Sequence, residues 1–160
     1  MLRVYIETTI PSYLTSRRSR DLVIAARQEM TQEWWEDKRQ NVELFSSELV
    51  LQEAQGGNKE AAKKRLISLE NIPLLDITEG ATLLAKALVH EGLIPEKASE
   101  DALHIAIATV HDIDILLTWN CTHLANVTVL RKMLAFIRSQ GYEPPVICTP
   151  DEMMGDDYHA

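Results

Sequence analysis

The chain has 160 residues, enough for one domain with a substantial core and too few for two comfortable ones. Hydrophobic residues make up 46% and charged residues 25%, the balance of an ordinary globular protein, and no apolar run approaches the roughly 20 residues of a membrane span. A net charge of −8 excludes binding nucleic acid through the general field of the protein, so any such contact has to be local.

Residues 2–6 (LRVYI) read as the first strand, which stops on Glu7, Thr8 and Thr9. A short helix follows from about Pro11, and a long one is expected over 19–40. Its Leu22, Ala26, Met30 and Trp34 recur at helical spacing. Trp34 and Trp35 cannot both face the core, which leaves one partly exposed. Residues 42–47 (VELFSS) form a second strand, and 47–55 a helix that stops at Gly56-Gly57. Asn58 can cap a helix over 59–70, and Thr78 one over 79–92. Between them, 72–77 (IPLLDI) is a third strand.

A loop over 93–99 leads to a helix of small apolar residues, 100–112. Residues 114–118 (DILLT) form a strand apolar enough to be buried on both faces. Residues 127–141 make a helix with basic residues near its end and a Gly stop, and 144–149 (PPVICT) supply the last strand. The expected architecture is a single three-layer α/β/α domain over 1–148, with a central, mostly parallel sheet of about five strands. A loose tail over 149–160 would complete it. An acid follows the first apolar run within seven residues, which is no secretory layout, so the expected location is the cytoplasm. Two sparse cysteines, Cys121 and Cys148, then read as free thiols.

Open parallel sheets gather ligands beyond the carboxyl ends of their strands. Four residues stand at such positions or near them: Glu7 after the first strand, Glu53 on the helix after the second, Asp101 opening the 100–112 helix, and Asn120 after DILLT. Oxygen donors of this kind suit Mg²⁺ or Mn²⁺. His104 lies one turn after Asp101. With His111 it makes a poor zinc pair, because seven residues span two helical turns. Arg17, Arg18 and Arg20 are the best local cations for phosphate. No Gly-rich phosphate loop follows a strand, which argues against nucleotide binding.

The ordered set VYIETT, SSELVLQE, EDALHIAIA and ILLTWN resembles a PIN domain, above all the VapC toxin type. The resemblance runs from about residue 2 to 126. It implies a Mg²⁺- or Mn²⁺-dependent ribonuclease hydrolysing RNA phosphodiesters, a homodimer, and silencing by a cognate antitoxin protein. By that resemblance Glu7, Glu53, Asp101 and Asn120 are the catalytic and metal-binding residues, with Thr9, Thr118 and His104 in support. Two departures stand out. Glu7 replaces the usual Asp, moving its carboxylate outward by about 1.5 Å. Asn120 replaces an Asp and removes a charge, and Thr122 stands where many members carry a further acid. These departures motivate an alternative: a PIN fold that has lost efficient cleavage and serves as an RNA-binding or protein-interaction module.

Overall fold

The computed structural model describes residues 1–154. Five short strands form one sheet: β1 (Arg3–Ile6), β2 (Glu43–Ser47), β3 (Leu74–Leu75), β4 (Ile115–Leu117) and β5 (Val146–Cys148). The order is β3-β2-β1-β4-β5, and every pairing is parallel. Val4, Tyr5, Ile6, Leu116 and Leu117 are fully buried, as strands covered on both faces must be.

The helices are α1 (Thr9–Thr15), α2 (Leu22–Asp37), α3 (Glu48–Ala54), α4 (Lys59–Ser68), α5 (Glu79–His90), α6 (Ser99–Val110), α7 (Val127–Ser139) and α8 (Pro150–Met153). Crossovers, right-handed by the general rule for parallel strands, carry the chain outward from β1 to β2 and β3, and then back past β1 to β4 and β5. The connections therefore put α1–α4 on one face and α5–α7 on the other, the three layers expected. Strands β1 and β4 are neighbours whose connections leave in opposite directions. That is the switch point at which a crevice opens beyond the strand ends. No helix among the described residues is long and apolar enough to cross a membrane.

Four elements differ from the sequence expectation, each for a local reason. The third strand has two residues instead of six, because Pro73 has no N–H to give and β3 is the sheet edge. Helix α2 starts at Leu22 because Asp21 accepts hydrogen bonds from the Val23 and Ile24 amides. Its buried line is Gln28, Thr31 and Trp34, while Leu22 is 86% exposed. Gln28 turns inward because its side chain pins the preceding loop, bonding Ser16, Arg17 and Ser19. Residues 96–98, within the expected loop, form a 3-10 turn.

The expected tail starts instead as α8. Thr149 and Glu152 cap it reciprocally, Pro150 is buried, and the helix packs near α2. Residues 155–160 lie outside the described residues.

Cys121 is exposed and Cys148 buried. Burial pushes the Cys148 thiol up to about 12. A thiol reagent should modify Cys121 in the native protein at least about 100-fold faster than Cys148, which reacts only on unfolding. Mass mapping of the labelled peptides checks this.

Candidate functional site

Strand β1 delivers two side chains to one face. Tyr5 and Glu7 are two residues apart, so they point the same way. Glu7 sits just past the strand end and is 4% exposed. Its Oε1 accepts hydrogen bonds from the Thr9 amide at 2.9 Å, from the Thr118 hydroxyl at 2.9 Å, and from the Thr9 hydroxyl. Thr118 comes from the end of β4, held there because Ile6 pairs with Leu117. Thr9 also accepts a hydrogen bond from the Trp119 amide, tying the two strand ends together. Burial drives the Glu7 carboxyl upward from its ordinary value, against the pull of His104 and the three donors.

Glu53 enters from α3, whose first turn is capped by Ser47 at the end of β2. Its Oε1 accepts from the Thr8 hydroxyl at 2.5 Å and from His104 Nε2 at 2.6 Å. Asp101 and His104 are three residues apart on α6 and so share a face. His104 is fully buried and Asp101 half-buried. Desolvation alone would push the His104 imidazole down, but the Glu53 and Glu7 carboxylates outweigh it and hold it up. Glu53 is partly desolvated, yet its bond to His104 brings it below the usual carboxylate range. Beside it, the exposed Glu100 carboxyl is raised because it shares a hydrogen bond with Glu53.

A polar hollow of about 380 Å³ lies over the start of α6, lined by Lys97, Ser99, Glu100, Asp101 and His123. The larger hollow, about 800 Å³, lies between α5 and α6 and meets the site only at Glu100.

The expected residues divide. Glu7 with Thr9 and Thr118, and Glu53 with Thr8 and His104, form two hydrogen-bonded groups that meet where Thr8 and Thr9 are consecutive residues. Asp101 acts on the second group through its field on His104 and Glu100. Asn120 is at the strand end, but its Oδ1 accepts from the Thr122 and His123 amides at 3.3 and 3.1 Å, closing the turn after β4. Those bonds occupy the oxygen that a ligand role requires. Arg17, Arg18 and Arg20 lie exposed beyond α1, seven residues or about 10 Å of helix from Thr9. His111 bonds the Asp76 carbonyl, well away from His104. Sequence reading missed Tyr5, Ser47 and Glu100. Tyr5 sits at the same-face position of the strand that ends in Glu7, a signal that was available.

Among the described residues, no three His, Cys, Asp or Glu side chains converge as a metal cage. A closed zinc-type site is therefore absent there. A hard cation needs less, because Mg²⁺ is commonly held by one or two carboxylates with water completing its shell. The chemistry of the residues fits that description: Glu7, Glu53 and Asp101 are oxygen donors whose charges act on the His104 imidazole, and Glu100 adjoins Glu53.

The Glu53–His104 pair sets a pH dependence. His104 has a raised folded pKa, so its contribution is complete below about pH 6.5 and is lost as pH rises through the folded value. Glu53 is lowered, so its contribution is complete above about pH 4.3 and is lost as pH falls through its folded value. Glu7, raised by burial, also disfavours the fold as pH rises. The metal-free protein should be more stable at pH 6 than at pH 8.5. Urea titrations should show that difference shrinking in Glu53→Gln.

The fold is PIN-like, an all-parallel five-stranded sheet flanked by helices with acids at its carboxyl edge. It is similar to a chain in the crystal structure of VapBC2 from Rickettsia felis bound to a DNA fragment from their promoter. The TM-score is 0.60 at 18% identity, over 92% of this chain and 98% of that one. No protein-family description matches the chain, and no curated protein matches it significantly.

Proposed function

We propose that this protein is a Mg²⁺- or Mn²⁺-dependent endoribonuclease of the VapC toxin type, neutralised by a cognate antitoxin. The observation that carries the reading is that β1's end holds both acids: the Thr8 hydroxyl, next to Glu7 in the chain, donates to Glu53 of α3, while Thr118 of the neighbouring β4 end donates to Glu7, at the switch point between β1 and β4. The fold similarity to a chain of VapBC2 supports the toxin–antitoxin assignment.

Glu53 and Glu7, with Asp101 on the rim, would hold the cation. The chemistry it supplies when bound is neutralisation of a phosphodiester and activation of water. The protein's own contribution is orientation. Thr9 and Thr118 fix one oxygen of Glu7, while Thr8 and His104 fix one oxygen of Glu53. Neither carboxylate has to be ordered when substrate arrives. Asn120, committed to its turn, leaves the site one donor poorer than the pattern it resembles, which favours slow cleavage.

The test is Mn²⁺ calorimetry, followed by cleavage of a panel of structured RNAs by wild type and Asp101→Ala. Saturable binding, with cleavage lost on chelation and in the variant, supports the reading. Equal cleavage by both proteins defeats it. Binding without cleavage favours the interaction module.

A further inference from the structure

We propose that Tyr5 is a positioning residue of this site: its buried hydroxyl fixes the ring of His104, and through that ring the carboxylate of Glu53. This rests on reading the strand-end acids as the nuclease site and assigns the device that orients one of them.

The Tyr5 hydroxyl lies 2.7 Å from His104 Nδ1 and 2.8 Å from Ser47 Oγ. Tyr5, Ser47 and His104 are all fully buried. His104 Nε2 lies 2.6 Å from Glu53 Oε1, and a carboxylate only accepts, so Nε2 carries a proton. With neutral imidazole every bond then has one direction. The Val50 amide donates to Ser47, Ser47 to Tyr5, and Tyr5 to His104 Nδ1, while His104 Nε2–H donates to Glu53. A hydroxyl can donate or accept, so Tyr5 serves a protonated ring equally well by accepting from Nδ1–H.

The chain joins β1, β2, α3 and α6. It exists because of register: Tyr5 pairs with Phe45, which puts Ser47 two residues further along the same face of β2. Phenylalanine would fill the same space for packing. What the hydroxyl adds is a partner for Nδ1, without which the ring can rotate or change tautomer and release Glu53.

The experiment compares wild type with Tyr5→Phe, and the same pair in a His104→Gln background. Glutamine keeps an N–H donor for Glu53 but has no second ring nitrogen for Tyr5. In metal-free protein, two-bond ¹H–¹⁵N spectra should show one His104 ring state in wild type and a mixture in Tyr5→Phe. Mn²⁺ affinity by calorimetry, and cleavage with it, should fall about 10- to 100-fold in Tyr5→Phe. The same substitution should cost almost nothing in the His104→Gln background.

An unchanged ring spectrum with unchanged Mn²⁺ affinity overturns the proposal, even if the melting temperature falls. An equal cost of Tyr5→Phe in both backgrounds overturns it as well. If wild type binds no Mn²⁺ and cleaves no RNA, the nuclease reading fails, while a changed ring spectrum still upholds Tyr5 as the residue that orients His104.

Discussion

Glu7→Gln should cleave RNA about 100-fold more slowly than wild type and yet unfold at a higher temperature at pH 8. The two effects have one cause. Glu7 is 4% exposed, and burial holds its carboxyl above the ordinary range. Keeping that group ionised costs folding energy, and the cost grows as the unfolded chain ionises freely above about pH 4.3. Glutamine presents an oxygen of nearly the same shape to Thr9 and Thr118, so the three hydrogen bonds survive. What is lost is the charge. Loss of several kcal/mol of electrostatic stabilisation at a metal site corresponds to about two orders of magnitude in rate.

The melting temperature should rise by about 2–4 °C for each kcal/mol recovered. Calorimetry on metal-free protein measures the first effect, and single-turnover cleavage the second. A variant that melts lower and cleaves normally would make Glu7 a structural strand end. Glu7→Asp separates length from charge. It keeps the anion but withdraws it by about 1.5 Å from a cradle built to the longer side chain, so it should lose stability as well as rate.

The parts of the fold that were legible in the sequence are those where one physical signal dominates. Val4–Ile6 and Ile115–Leu117 are apolar because both faces are covered, and they read as strands at once. Thr78 and Asn58 announced their helices because each accepts from an amide of its own first turn. Helix α8 was legible too, since Thr149-Pro-Asp-Glu152 is a capping box in plain spelling, but a terminal position argued for a tail. The buried face of α2 was legible only at Trp34. The apolar stripe predicted Leu22, whereas the buried Gln28 and Thr31 are recruited by a loop and by the Trp119 indole, partners more than 8 residues away in sequence. The same limit applies at the site. Glu7 was visible because an acid interrupts an apolar run. Tyr5 could be read only as a same-face neighbour of Glu7, and Ser47 not at all, since a serine ending a strand reads as a turn until β1, β2 and α6 meet.

Trp34 and Trp35, adjacent on α2, should give opposite results when truncated. Trp34 is fully buried, so Trp34→Ala opens a large cavity and should cost about 3–5 kcal/mol. That corresponds to a fall of about 10 °C in melting temperature. Trp35 is only partly buried, with the Arg39 guanidinium 4.1 Å above its ring. Trp35→Ala should cost about 1 kcal/mol, the value of a cation–π contact at a semi-exposed site. Trp34→Phe adds a sharper discrimination. The Trp34 indole N–H is buried with no hydrogen-bond partner among the described residues, so the fold already bears the cost of desolvating it. Phenylalanine removes that group along with part of the ring, and the two effects oppose each other. The loss should stay well below that of alanine. Urea unfolding at constant m-value measures all three. Equal losses at 34 and 35 would mean that α2 is rotated from the orientation given by Gln28, Thr31 and Trp34. The exposed Leu22, Val23 and Ile24 would then turn toward the core.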